Sequence, residues 1–373
     1  MKPSNSDTPV FRFANAVTAL DIDGDERFES VEQAEKWLSG GDDRAVGGLI
    51  PYENDGHGCS LFGGSLRAPA EEREGVEPRF RYDVRFNASE TERYLSSLDT
   101  ALHALGGGER ELEKVVLARV ERYLVDGELD VDALYRIIRE AYPAGNNFRV
   151  RNLHRPHSYH LGSSPELFLR RHANRIVLHP LAGTLPKDPR LSEEDDRRRA
   201  RRLLATAKFR SEHAYLVDFL REGLAPYCSR LDVPAEPSLV SASHVWHLGT
   251  PIEGTLRSDE IALSEMLGTL HPSPAVCGVP RDEANEFILE HEGERSYYAG
   301  LVGWFDGPRD CEFYMALRGM EADVAAGHVD LRAGGGIVRG SSIPMEFGEV
   351  GAKMSTMRQV LDLDGDSLVR SGG

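Results

Sequence analysis

The run EKVVLARV, residues 113–120, places a lysine where a strand would carry an apolar side chain. It alternates with the two-residue period of a β-strand. Lys114, Val116, Ala118 and Val120 therefore share one face, and Val115, Leu117 and Arg119 the other. Lys114 is either a strand-entry residue whose ammonium reaches water along its own methylene stem, or an amine enclosed among small side chains. Enclosure disfavours the charged form, and a neutral amine can accept a proton. Carboxylates form the second group. Glu346 and Glu349 in EFGEVGAK are spaced i, i+3 on one helical face, where like charges repel unless a cation joins them. Glu212 in KFRSEH follows Lys208 by four residues, a spacing that also permits an ordinary ion pair. Glu166 in SSPELFLRR could equally be a strand-edge carboxylate paired with Arg170 or Arg171. Cys59, Cys228, Cys277 and Cys311 show no CxxC or Cys/His spacing, which argues against a zinc site and a disulfide framework.

These residues sit on elements that the pattern predicts. Tyr94, Leu95, Leu98, Leu102 and Leu105 keep a helical period that ends at Gly106–Gly108, just before the strand of Lys114. Residues 1–90 are rich in Gly, Asp and Pro and suggest short strands joined by turns. DVDALYRIIREAYP reads as a helix, and NNFRVRNL and HSYHLGSSPELFLRR as strands around a turn. RIVLHPLAGTLPKD reads as a strand entering a Gly/Pro loop. A long helix is predicted from about 193 to 225, opened by Ser192 and Asp195 at capping-box spacing. DEIALSEML and RDEANEFILEH are helical. YYAGLVGWFD, EFYMALRGMEADV and HVDLRAGGGIV are strands, and PMEFGEVGAKMSTMRQVLDL is a closing helix. Strands and helices mix with few simple βαβ units, so one large α+β domain is favoured over a doubly wound sheet. GGGI lacks the GxGxxG spacing of a dinucleotide site.

The chain has 373 residues, 40% hydrophobic and 28% charged, in the range of soluble globular proteins. No apolar run approaches a membrane span, and the N-terminus lacks a signal-peptide core, so a cytoplasmic protein is expected. A net charge of −17 disfavours nucleic acid and anionic membrane as partners. The same charge means that any anionic substrate needs local cations or a metal.

Ten segments in fixed order carry a resemblance to a known family: KVVLAR, SPELFL, PLAGT, KFRSEH, WHLGTPIEG, LHPSPAVCGVP, YYAGLVGW, ALR, AGGGIV and EFGEVGAK. Together they resemble the chorismate-utilising enzymes, which include isochorismate synthase, salicylate synthase and the large subunits of anthranilate and aminodeoxychorismate synthase. The resemblance is strongest over residues 100–362. Residues 1–99 match loosely, as the N-terminal part of the same domain, so 1–373 reads as a single chorismate-binding catalytic domain. It implies an α+β fold with two antiparallel sheets packed around the core and helices outside. It also implies chorismate as substrate, Mg2+ as cofactor, and a monomer or weak homodimer.

The resemblance assigns roles residue by residue. Lys114 falls where water-adding members carry Lys and ammonia-adding members carry Gln, which implies a general base for water. Glu166 aligns with the general acid. Glu212 and Glu349 align with magnesium-binding carboxylates, and Glu346 with an accompanying acidic position. Arg318, Tyr298 and Lys353 align with positions that hold the enolpyruvyl carboxylate. A cross-strand ion pair for Arg318 and a core aromatic for Tyr298 are the ordinary alternatives. Gly183, Thr184, Gly334 and Gly336 would bring backbone donors to the ligand, or serve simply as turn residues. His247 aligns with a pocket histidine, though a lone His is often structural, and Ala275 and Val276 with the wall around the ring. Two departures stand out. Phe209 occupies a position where family members commonly have Asp or Glu, and LEHEGERSYY is one residue short. The implied activity is isochorismate synthase of the siderophore type, with salicylate and menaquinone synthesis as the other pathways in view. Salicylate synthase and a chorismate-binding paralogue without turnover are the alternatives.

Overall fold

A long antiparallel ladder organises the chain. The computed structural model describes residues 9–41, 43–53, 58–68, 88–107, 111–125, 128–307 and 310–361. Residues 1–8 and 69–87, part of the stretch read as loop-rich, lie outside the described residues, as do Gly108 and the chain from 362 onward. The first part contains β1 (Phe11–Ala14), β2 (Ala19–Phe28), α1 (Val31–Leu38), β3 (Ala45–Ile50), β4 (Ser60–Arg67) and α2 (Ala88–Leu105). Then come β5 (Lys114–Leu124), α3 (Val131–Ala141), β6 (Asn146–Arg151), β7 (Ser158–Ser164), β8 (Leu167–His172), β9 (Arg175–Leu178) and β10 (Leu181–Pro186). The middle holds α4 (Glu193–Ala200), α5 (Arg202–Ala205), α6 (Ala207–Leu224), β11 (Cys228–Asp232), β12 (Ser238–Ser241), β13 (Val245–Gly249) and β14 (Ile252–Leu256). The last third runs α7 (Leu263–Leu270), β15 (Gly278–Val279), α8 (Arg281–His291), β16 (Leu301–Phe305), β17 (Asp310–Met315), β18 (Gly319–Asp323), β19 (His328–Val338) and α9 (Ile343–Val360).

The described strands form a 16-stranded sheet and a three-stranded sheet, the latter ordered β10-β13-β12. The fold is α+β. β5 lies between β19, its partner over eleven residue pairs, and the short β15. The main core gathers Val115, Leu117, Ile337, Val350 and Met354 with residues of α2, α7 and α8. Among the described residues no helix is long and apolar enough to cross a membrane.

Local sequence explains most element ends. Asp130 caps α3 by accepting from the N–H groups of Asp132 and Ala133, both at 3.0 Å. Ser192 accepts from Asp195 N at 3.2 Å, as the capping spacing predicted. Three expectations need correction. EFYMALRGMEADV is two strands, β17 and β18, parted at Ala316–Arg318, where Arg318 takes φ +51°. RIVLHPLAGTLPKD is two strands, β9 and β10, parted at His179–Pro180, where proline has no N–H for the ladder. The single helix from 193 to 225 is three, α4, α5 and α6: α4 and α5 meet at Arg201, which keeps helical dihedrals, and α5 is parted from α6 at Thr206, whose backbone is extended with φ −88° and ψ 119°. The break lets Leu203 and Phe209 join Ala200, Trp246 and Leu248 in one small cluster. In a straight helix those two side chains would point about 120° apart.

Candidate active site

Lys114 opens β5, opposite Val338 on one side and Val279 on the other. Its side chain has 0% exposure, so the strand-entry reading fails. Nζ lies 3.5 Å from Glu212 Oε1, close enough for an ion pair but without a hydrogen bond. Burial pulls the amine's pKa below that of an ordinary lysine, and the nearby Glu212 charge opposes the shift. Gly336 makes this approach possible. A Cβ there would stand 2.3 Å from Glu212 Oε1 and 3.1 Å from Lys114 Cε.

Glu166 sits in the turn between β7 and β8, where Met315 N donates to its backbone carbonyl at 3.1 Å. The carboxyl is buried and accepts one bond, from Leu181 N at 3.3 Å. Burial pushes its pKa up to about 7, against the lowering pull of the Leu181 N–H and of Lys353, Arg318 and Lys114. It therefore exchanges its proton near neutrality, rather than well below it as an ordinary carboxyl does. Arg170 and Arg171 are occupied elsewhere: Arg170 pairs with Glu312 at 2.7 Å, and Arg171 donates to the carbonyls of Ala173, Asp259 and Ile261.

Glu166 opens onto a cavity that encloses about 670 Å³ including its open mouth. Glu166, Thr184, Glu212, His247, Ala275, Val276, Tyr298, Arg318, Gly334, Gly336 and Lys353 line it. Lys114 stands one layer back, between Gly336 and Glu212. Gly183, Glu346 and Glu349 are outside the lining. Gly183 is a packing position: its φ is +69°, and a Cβ would meet Phe209 at 3.2 Å. That contact accounts for Phe209, which fills the space under β10 in the small cluster.

The polar wall has a direction. Arg318, at φ +51° between β17 and β18, places Nη2 3.1 Å from His247 Nε2. Arginine can only donate, so Nε2 accepts and the ring proton belongs on Nδ1. Nδ1–H then donates to Thr184 Oγ1, 3.1 Å away, which leaves the Thr184 hydroxyl hydrogen free to point into the cavity. Burial, reinforced by Arg318 and Lys353, holds the imidazole pKa well below its usual value, so His247 is a neutral relay. Burial also lowers the Arg318 pKa to about 10 and raises that of Tyr298 to about 12.

The α9 carboxylates are paired with lysines. Lys208 Nζ is 2.7 Å from Glu346 rather than bound to Glu212 four residues away, and Lys353 Nζ is 2.7 Å from Glu349 and 2.8 Å from Gly334 O. Burial first, and then Glu349, raise the Glu346 pKa. A Cβ at Gly335 would lie 3.6 Å from Glu346 Oε2 and 3.8 Å from Glu349 Oε1, so both carboxylates reach β19 one residue away from Gly336, which Glu212 abuts. No group of three or more His, Cys, Asp or Glu side chains is gathered to hold an ion among the described residues. A closed protein cage is therefore a poor fit. Mg2+ ordinarily uses one or two carboxylates, waters and substrate oxygens, and that arrangement does fit Glu212 and Glu349.

Residues 67–362 match the family described as "Chorismate binding enzyme". The chain belongs to the chorismate-binding enzyme family. It is 34% identical over 310 residues to isochorismate synthase DhbC of Bacillus subtilis, covering 81% of this chain and 75% of that one. It is 37% identical over 254 residues to isochorismate synthase EntC of Escherichia coli K12, covering 68% and 63%. The solved structure of MenF, the menaquinone-specific isochorismate synthase from Escherichia coli, superposes with a TM-score of 0.82 at 25% identity, covering 96% of this chain and 90% of that one.

Two features of this chorismate-binding enzyme escape motif reading. Arg295, 1% exposed, donates to Val116 O at 2.6 Å and Val276 O at 2.5 Å and pairs with Glu292 at 2.9 Å. Glu292 in turn accepts from Ala118 N. Arg295 thus ties the Lys114 strand to the Val276 wall. It lies in the shortened LEHEGERSYY segment, where the departure was visible but its meaning was not. The second is Arg332, which also lines the cavity. Period-two reading of HVDLRAGGGIV puts it on the face of Gly334 and Gly336, and that signal could have found it.

Proposed function

We propose that this enzyme is an isochorismate synthase, converting chorismate to isochorismate by adding water at C2 and expelling the C4 hydroxyl. The observation that carries the proposal is a pair of buried groups at one cavity with pKa values moved toward each other, a carboxyl at about 7 and a lysine lowered by burial. Opposite displacement of two such groups is how an acid and a base come to work together at one pH. Lys114 takes a proton from water as the water oxygen bonds to C2. The ring double bond shifts, and the C4–O bond breaks. Glu166 delivers its proton to that oxygen, which departs as water. A second water is the natural carrier to return the proton from Lys114 to Glu166. Glu212 and Glu349 would hold Mg2+, which when bound supplies positive charge against the ring carboxylate. Arg318 and Tyr298 orient the enolpyruvyl carboxylate, the Thr184 hydroxyl donates into the cavity, and Ala275 and Val276 exclude stray water.

The test is product identification. Protein, chorismate and Mg2+ are incubated and the products separated and examined by NMR. Isochorismate is the expected sole product. Salicylate with pyruvate would replace the proposal with a synthase that continues to elimination. Amination in the presence of ammonia would refute the role of Lys114, and binding without turnover would refute catalysis.

A further inference from the structure

Arg332 occupies the middle of β19, opposite Val120 of β5. Arg332 lines three cavities. One is the active-site cavity. A second is a small chamber lined by His160, Tyr297 and Glu321. The third is a cleft bounded by Glu90, Arg93 and Glu294. The other cations of the active-site wall have partners: Arg318 holds His247, and Lys353 holds Glu349 and Gly334 O. Arg332 makes no hydrogen bond or ion pair among the described residues, although Asp330 is two residues away on the same face. Asp330 is instead taken by Arg122 at 2.6 Å. An unpaired guanidinium on a cavity wall is a carboxylate receptor awaiting its anion, with a planar fork matched to two oxygens.

Its position selects which carboxylate. Gly336 marks the Lys114–Glu212 end of the cavity, and Gly334 abuts the Tyr298 hydroxyl, 2.9 Å from a Cβ placed there. Arg332 is two residues further on the same face and about 13 Å along the strand from Gly336. We propose that Arg332 is a substrate-binding residue that receives the enolpyruvyl carboxylate beside Tyr298. This rests on the proposal that the cavity takes chorismate, and it adds a cation that no motif supplied. It also bears on how a chain of net charge −17 accepts a dianion.

The experiment compares wild type with Arg332→Leu and Arg332→Lys by calorimetric binding of two probes, chorismate and 4-hydroxybenzoate, which has the ring carboxylate but no enolpyruvyl group. Arg332→Leu is expected to weaken chorismate about 10- to 100-fold, the worth of one charged hydrogen-bonded contact, and to leave 4-hydroxybenzoate unchanged. Arg332→Lys should recover part of the loss. KM should rise with kcat within about threefold, since the contact is equal in ground and transition states. Unchanged chorismate affinity, or equal weakening of both probes, would overturn the assignment while isochorismate formation by the wild type stood. Failure of the wild type to bind chorismate would remove the parent proposal and this one with it. An unchanged melting temperature in Arg332→Leu excludes a folding defect.

Discussion

At the scale of single residues, Glu166 makes the sharpest prediction. Its carboxyl binds its proton more tightly folded than unfolded, with a pKa near 7 against an ordinary value near 4.5. The folded state then holds the extra proton between about pH 4.5 and 7, and stability falls as pH rises through that window. The full displacement is worth roughly 3 kcal/mol by that linkage. Glu166→Gln should therefore be the more stable protein at pH 8 and lose the advantage at pH 4, as read by urea unfolding at both values. Its turnover should drop by about 10²- to 10⁴-fold. In the wild type kcat/KM should fall as pH rises above 7, where the acid is lost. Lys114→Gln should bind chorismate and fail to add water, so that kcat collapses while the dissociation constant stays within a few-fold. Full turnover in that variant would rule out the base.

Among elements, β19 and α9 decide the geometry. Gly336→Ala would drive a methyl group into Glu212 and should cost about 1–3 kcal/mol together with most activity. Gly348→Ala on the exposed face of α9 meets nothing within 4 Å and should stabilise by up to about 1 kcal/mol, leaving kinetics unchanged. Thermal melts of the two variants check both signs. Much of this scaffold was legible beforehand. Alternation in EKVVLARV put Lys114 on the face of Val116 and Ala118, leaving strand entry and enclosure both open, and the i, i+3 spacing of Glu346 and Glu349 put both on one side of α9. Other features were hidden because long-range packing sets them. No Gly or Pro announces the break at Thr206, which lets Leu203 and Phe209 join one buried cluster with Trp246. Lys208 crosses to Glu346 rather than to its neighbour Glu212, a choice that helical spacing cannot reveal. Arg332 was readable from strand alternation, yet it belongs to none of the ten motifs.

For the whole molecule, charge and connectivity matter most. A net −17 repels a dianionic substrate at long range. Raising ionic strength from about 10 to 150 mM shortens the reach of that field to roughly 8 Å, and kcat/KM should climb up to several-fold at saturating Mg2+. A steady fall with salt would mean that local cations steer the encounter instead. Arg295 joins β5, the Val276 wall and α8 in one buried network. Arg295→Met would strand the Glu292 carboxylate and two carbonyls, a loss of about 3–5 kcal/mol that chemical denaturation would register. The four cysteines, all buried as thiols, have a practical consequence. An alkylating reagent can reach them only when the protein opens, so labelling rate becomes a clock for opening events. Cys277 follows Val276 directly, and its clock should slow when the cavity is filled, whereas Cys311, remote in β17, should keep its pace unless the entire fold tightens.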